Sequence, residues 1–312
     1  MQNIIKDSEI TFVVQGPVQS GKGRDQIESI TTLCLNSIRR YFPQSKIIIA
    51  TWKGQVTDGL DYDLLLELDD PGSNDISVNG EIITLNNNRQ LHSTHQGLKK
   101  VTTKYAVKLR SDNLLKGREF VSVFEKYSES PREDKFSFLQ SRIVTSSTFF
   151  IQSHYGAPVY FHKSDLFDFG LTEDLLMVWP DKMIPHLLFN PTPGYKSRYP
   201  ATEQFLCLNW LSSLVNKELF IENKSNDDAG LGCDFWNRFL ANNIIADSPE
   251  NLGLDVTSRF YNRGNLALEY DIKDWKKFSG ISKTQLDPKR LKRSYKMLVG
   301  KLLRNTLGLF SR

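Results

Sequence analysis

Short apolar runs alternate with longer stretches of helical spacing through the first half of the chain, the order that strand–helix–strand units of a parallel sheet produce. The run "EITFVVQG" over residues 9–16 is almost continuously apolar and ends at Gly-Pro, which predicts a buried first strand. After it, "DQIESITTLCLNSIRRYF" brings Ile27, Ile30, Leu33, Ile38 and Phe42 close to helical spacing, with Pro43 as a stop signal. "SKIIIATW" (45–52) and "YDLLLELDDPG" (62–72) read as the next two strands, the second closing in a Pro-Gly turn. "NNNRQLHSTHQGLKKV" (86–101) predicts a helix entered from an Asn cap, and "KYAVKLRSDN" (104–113) a strand with charged residues at its C-terminal end.

The second half is less regular. "KFSFLQSR", "TSSTFFI" and "GAPVYFHKSDLF" are candidate strands, and "TEQFLCLNWLSSLV" (202–215) is a strong helix. Over residues 288–309, Leu291, Tyr295, Leu298 and Leu302 share one helical face. Lys289, Arg290, Lys292, Arg293, Lys296, Lys301 and Arg304 lie largely around it, the pattern of a basic amphipathic helix. No internal repeat or low-complexity linker divides the chain, so the expected organisation is one α/β domain over 1–272 and a basic tail over 273–312.

Composition adds limits. With 312 residues, 39% of them hydrophobic and 24% charged, the chain can bury a sizeable core and disorder is not expected. Three cysteines, Cys34, Cys207 and Cys233, without C-x-x-C spacing, predict neither a disulfide framework nor a zinc site, and fit a reducing cytoplasm. Acids precede the first apolar run, so no secretory signal is expected, and no apolar stretch approaches the ~20 residues of a spanning helix. The net charge of +4 points to neither nucleic acid nor membrane, but its distribution changes the picture. Residues 273–312 hold twelve of the 40 Lys/Arg and two of the 36 acids, so the tail is +10 and the remainder −6.

Three stretches carry candidate chemistry. "VQGPVQSGKG" (14–23) contains G-x-x-x-x-G-K, one residue short of a phosphate-cradling loop, because Gly23 stands where that motif has a magnesium-binding hydroxyl. The following helix also begins too late for such a loop, which leaves a polar, flexible segment as the plainer reading. In "KLRSDN" (108–113), Arg110, Asp112 and Asn113 at a strand tip offer a guanidinium for phosphate and a carboxylate for a cation or sugar hydroxyl. A surface ion pair between Arg110 and Asp112 accounts for the same residues equally well. Glu203 opens the helix at 202–215, where it serves either as dipole stabilisation or as a general base facing a cleft. Of the five histidines, His92 and His95 read as polar helix residues, and His162 in "VYFHKSD" is the better site candidate. Neither Ser-His-Asp nor Cys-His spacing supports a nucleophilic hydrolase.

"FVVQGPV", "SIRRYFP", "IIIATWKG", "DGLDYD", "NNNRQLHSTHQGL" and "KYAVKLRSDN" follow one another in an order that resembles the WavE family of lipopolysaccharide-synthesis proteins. "SDLFDFGLTEDL" and "TEQFL" extend the resemblance over residues 9–215. It implies a GT-A-like α/β fold, a Rossmann-like, mostly parallel central sheet with flanking helices, here with a C-terminal basic helical extension. It implies a glycosyltransferase that takes a nucleotide-sugar donor and a lipopolysaccharide, capsule or lipid-linked glycan acceptor. By position, Gln15, Gly16 and Pro17 would line the nucleotide, and Arg110, Asp112 and Asn113 would replace the usual D-x-D. That departure leaves only one carboxylate and keeps a divalent cation (Mn or Mg) open, with Asp112 the first ligand candidate and His162 a weaker one. Glu203 would be the general base, and Arg89 and Arg110 would meet the charge of the leaving diphosphate. The basic helix would then sit on the anionic inner face of the cytoplasmic membrane, making the protein cytoplasmic and peripheral, with no nucleic-acid partner. A P-loop kinase or NTPase and a non-catalytic assembly scaffold are the competing readings.

Overall fold

The computed structural model describes residues 4–21, 26–260, 266–283 and 287–308. Its strands in chain order are β1 (Ile10–Gln15), β2 (Lys46–Trp52), β3 (Leu64–Leu68), β4 (Asn74–Val78), β5 (Glu81–Leu85), β6 (Tyr105–Arg110), β7 (Leu114–Leu115) and β8 (Ile143–Ser146). They continue with β9 (Ile151–His154), β10 (Ala157–Pro158), β11 (Phe167–Leu171), β12 (Leu187–Phe189), β13 (Ile244–Asp247), β14 (Leu254–Asp255) and β15 (Ala267–Glu269). The helices are α1 (Ile30–Tyr41), α2 (Asn87–Leu98), α3 (Glu119–Tyr127), α4 (Thr172–Val178), α5 (Thr202–Leu214), α6 (Phe235–Asn243), α7 (Pro249–Leu252), α8 (Ile272–Phe278) and α9 (Pro288–Gly308).

The fold is mixed α/β around a seven-stranded sheet of order β13-β8-β11-β6-β1-β2-β3, in which only β11 runs antiparallel to its neighbours. Both faces of that sheet are covered, which is why its first-half strands are mostly apolar and do not alternate. Phe12 and Val14 of β1 pack with Leu35 and Ile38 of α1 and Phe120 and Phe124 of α3. Val13, pointing the other way, packs with Leu91 and Leu98 of α2, Leu175 of α4 and Phe205 of α5. Smaller sheets β12-β4-β5 and β10-β9-β15 flank this core.

Several expectations change. Helix α1 starts only at Ile30, and Ile27 and Leu33 are exposed; its buried stripe is Ile30, Thr31, Cys34, Leu35 and Ile38. Asn86 stands at the cap of α2 but gives its side-chain oxygen to Arg89 (2.6 Å) rather than to a helix N–H. "KFSFLQSR" is not a strand. The N–H groups of Phe138 and Leu139 donate to the Asn243 side chain (2.8 and 3.0 Å), those of Gln140 and Ser141 to Asp174 (2.7 and 2.9 Å), and the Leu139 and Gln140 carbonyls accept from Arg132 (2.8 and 2.6 Å), so this backbone is satisfied without a ladder. "TSSTFFI" breaks between β8 and β9, with Phe149 at φ 58°, and "GAPVYFHKSDLF" supplies only β10 before β11 begins at Phe167. The β4–β5 hairpin turns on Asn79 and Gly80, both at positive φ, an Asn-Gly signal that the sequence reading passed over.

The basic segment is fastened to the body. Trp275 of α8 packs on Tyr127 at 5.2 Å between ring centroids. Arg290 pairs with Asp274 (2.6 Å) and Asp271, and Arg293 with Asp274 (2.8 Å). Leu291, Tyr295, Leu298 and Leu302 instead face outward, each 56–68% exposed, so α9 docks through arginines and presents its apolar stripe to the surroundings. Among the described residues no helix is long and apolar enough to cross a membrane.

Candidate active site

Strand order reverses about β1, which lies between β2 and β6, and the crevice beyond the carboxyl ends of strands at such a point is where open α/β sheets hold ligands. Gln15 ends β1 level with Ala50 of β2 and Arg110 of β6. Because β11 is antiparallel, its N-terminal lead brings Asp165 to the same edge, with Phe167 opposite Leu109. Gly16 turns the chain over this edge at φ 117°, and a Cβ there would stand 3.1 Å from Ser111 Oγ, so glycine is required on both counts. Ser111 fixes the turn by donating to the Pro17 carbonyl (2.8 Å). The result is a cavity of about 510 Å³ lined by Gln15, Gly16, Pro17, Arg89, Gln90, Arg110, Asp112, Asp165 and their neighbours.

Arg110 is the electrostatic centre of this cavity. It donates to both oxygens of Asp112 (3.0 and 3.2 Å) and reaches Asp165 at 3.4 Å. Burial works against its charge, but Asp112 and Asp165 outweigh that and raise its pKa further. Asp165 also accepts from Gln90 (2.8 Å); burial opposes its ionisation, yet Arg110 and the buried Lys108 hold it below the usual carboxylate range. Asp112 accepts a further bond from Gln26 (2.8 Å). Arg89 lies at the rim in a forked pair with Asp70 (2.7–3.0 Å).

Asp112 and Asp165 are the carboxylates at the sheet edge that could hold a divalent cation together with a donor's phosphates. The two carboxylates at the sheet edge are already bridged by one guanidinium, and among the described residues no group of three His, Cys, Asp or Glu is arranged for a metal. His162 lines a different cavity from Asp112 and spends its Nδ1–H on the Phe149 carbonyl (2.9 Å).

That second cavity, about 380 Å³, adjoins the first and shares Leu85 and Thr202 with it. Glu203 stands in its wall in the first turn of α5. Burial, then the charge of Asp165, push the Glu203 carboxyl up to about 7. His162 Nε2 lies 3.7 Å from it, and burial followed by the Lys224 charge drop the imidazole to about 3, so the ring is neutral and turns a lone pair toward Glu203.

The structure thus brings together Gln15, Gly16, Pro17, Arg89, Arg110 and Asp112, and sets Glu203 with His162 next door. Asn113 is not with them: it is buried, and its amide reaches inward toward the Leu166 carbonyl (3.5 Å). Lys22 and Gly23 of the G-x-x-x-x-G-K match lie outside the described residues. Before them, the N–H groups of Gly16, Val18 and Gln19 are spent on Ala50, Gln55 and Thr31 (2.9–3.2 Å), and α1 opens only at Ile30, unlike a phosphate cradle. Sequence reading missed Asp165, Gln90 and Lys108. Asp165 sits in the "SDLFDFGL" stretch, but its role follows from the direction of β11 and is not written in its neighbours.

A family model described as "WavE lipopolysaccharide synthesis" matches residues 10–307. No curated protein matches the chain. Among solved structures, residues 1–349 of TarS from S. aureus are similar at 12% identity and a TM-score of 0.33, covering 66% of this chain and 56% of that one. A nucleoside-diphosphate-sugar pyrophosphorylase from Vibrio cholerae RC9 is similar at 12% identity and a TM-score of 0.30, covering 57% and 83%.

Proposed function

The chain belongs to the WavE lipopolysaccharide-synthesis family, and from that premise we propose that it is a GT-A-type glycosyltransferase moving a sugar from a nucleoside-diphospho-sugar to a hydroxyl of a lipid-linked or lipopolysaccharide glycan. The observation that carries the reading is the pair of adjoining cavities: one centred on a guanidinium at the sheet's switch point, the other walled by a carboxyl poised near neutrality. The donor's diphosphate would lie against Gly16 and Pro17, within reach of Arg110 and Arg89. The acceptor hydroxyl would enter the second cavity, give its proton to Glu203, and attack the anomeric carbon as the bond to the diphosphate oxygen breaks. Arg110 supplies fixed positive charge where the leaving group gains negative charge, and Asp112 and Asp165 hold that guanidinium in place. This is a single displacement, so the anomeric configuration inverts. Peripheral attachment through the exposed face of α9 would bring a membrane-borne acceptor to the second cavity.

Release of nucleoside diphosphate from a panel of sugar nucleotides, in the presence of glycolipid acceptors, tests the reading. Turnover of one donor that persists in EDTA is expected, because Arg110 fills the place between the carboxylates. Glu203→Gln should lower kcat by about 10²–10⁴-fold. Consumption of no donor, with or without manganese, or undiminished turnover by Glu203→Gln, would sink the proposal.

A further inference from the structure

A cavity of about 670 Å³, larger than the one at the switch point, lies elsewhere in the molecule. It lies between the loops at 192–198 and 223–226 and the last turns of α9, lined by Lys196, Arg198 and Arg304 and, among the described residues, by no acidic one. Its frame is built rather than incidental. Thr192 N–H donates to the Asn223 side chain (2.9 Å) and Lys224 N–H to the Arg198 carbonyl (2.8 Å), tying one loop to the other.

Carboxylates close by in sequence are committed elsewhere. Asp227 accepts from the backbone of Glu222, Asn223 and Ala229, and Asp228 from that of Gly230. Among the described residues, none of Lys196, Arg198, Lys224 and Arg304 makes an ion pair. Arg304 gives one bond to the His154 carbonyl (3.3 Å), while its buried Nε has no partner. The field of these four cations is felt at His154: burial first, then Lys224, Arg304, Arg198 and Lys196, bring its imidazole down to about 4. Lys196, Arg198 and Arg304 line this hollow and Lys224 the neighbouring cavity, so an anion entering between them meets positive charge from more than one side.

We propose that this basic cavity binds a phosphate ester, namely the phosphate or diphosphate of the acceptor, and so anchors the acceptor while its hydroxyl reaches Glu203. The proposal rests on the glycosyltransferase reading for the acceptor's role, but not for the site itself. Two features assign the anion to the acceptor and not the donor. Arg198 lines both this cavity and the one walled by Glu203, and α9, which carries the outward apolar stripe, forms one wall.

The test uses the full chain with farnesyl diphosphate as the probe, farnesol as its uncharged counterpart, and vesicles of phosphatidylglycerol or phosphatidylcholine. Farnesyl diphosphate should bind with a salt-dependent affinity that farnesol lacks, and Lys196→Gln with Arg304→Gln should weaken it by about tenfold or more. The same double variant should melt no lower than the unsubstituted protein, because it relieves repulsion; a purely structural role for these side chains would lower the melting temperature. Unchanged farnesyl diphosphate binding in the variant overturns the proposal. So does an effect confined to phosphatidylglycerol vesicles, which would make the cavity a contact for bulk lipid headgroups. Nucleoside diphosphate binding, and its loss in Arg110→Ala, reports on the donor cavity alone, so failure there with farnesyl diphosphate binding intact removes the glycosyltransferase reading and leaves this one.

Discussion

Glu203 holds its carboxyl at about 7 against an ordinary 4.5, first because burial disfavours the charged form and then because Asp165 is already ionised nearby. Two consequences run in opposite directions. As a base, Glu203 must be ionised, so kcat/KM should fall as pH drops through about 7 and level off above it. For stability, a carboxyl whose folded pKa is raised binds protons more tightly in the folded state. Its contribution is full below about 4.5, is lost progressively as pH rises toward 7, and is absent above that. Ionised Glu203 therefore costs the fold on the order of 3 kcal/mol at pH 8. Glu203→Gln, which cannot ionise, should abolish the pH-dependent limb of turnover and raise the melting temperature at pH 8 but hardly at pH 4. Thermal melts at both pH values check this; a variant destabilised at pH 8 would mean that the carboxylate is a structural partner instead. His162, 3.7 Å away and held neutral by burial and the Lys224 charge, adds no charge to this balance.

Among elements, α9 depends on one close approach. A Cβ on Gly300 would meet Gly156 N at 2.6 Å and Tyr155 C at 2.7 Å, both backbone atoms, and Gly156 itself is held at φ 71°. Alanine would improve the intrinsic helix propensity by about 1 kcal/mol. Backbone cannot yield as a side-chain tip can, however, and overpacking of this kind costs about 1–3 kcal/mol. Gly300→Val, which adds a branch and forgoes most of that propensity gain, should undock the C-terminal half of α9, read as faster amide exchange over residues 296–308 with exchange in β1 and β6 unchanged. Protection of α9 equal to that of the unsubstituted chain would show that the Arg290 and Arg293 pairs suffice to hold it. The same elements show what a sequence can and cannot disclose. β1, β2 and β6 were legible because strands buried on both faces are mostly apolar, and the one charge inside β6, Lys108, is flanked by Val107 and Leu109. β11 was not, because Asp168 stands in its middle, paired in the core with Lys163 (2.7 Å) and Trp179 Nε1 (2.8 Å), which disguises a central strand as a polar segment. Arg110 and Asp112 were legible as a charged strand tip. Their third partner Asp165 lies 55 residues on from Arg110, and only the antiparallel course of β11 joins them.

At the scale of the molecule, the charge asymmetry of the sequence becomes a geometry. Arg290 and Arg293 of α9 are consumed by Asp271 and Asp274, while Lys289, Lys292 and Lys301 stay exposed beside a stripe of Leu291, Tyr295, Leu298 and Leu302 that touches no core. A helix that turns its apolar face away from its own protein has the form of an interfacial anchor, and on the function proposed above the basic cavity it walls would lie on the bilayer side. Exposed lysines near an anionic surface contribute about 1 kcal/mol each, a term that salt screens. Burial of three half-exposed leucines adds about 3 kcal/mol that salt does not screen. Leu291→Ser, Leu298→Ser and Leu302→Ser together should therefore reduce partition onto phosphatidylglycerol vesicles roughly a hundredfold. High salt should weaken the unsubstituted protein's binding without abolishing it. Deleting the helix is the poorer experiment, since it would strip Asp271 and Asp274 of their arginines and unsettle the body as well. Turnover on a short water-soluble acceptor should be indifferent to the leucine substitutions, whereas turnover on a vesicle-borne acceptor should fall with the partition. Co-sedimentation with vesicles that is unaffected by losing all three leucines would leave α9 a structural strap, and its outward stripe would need a different occupant.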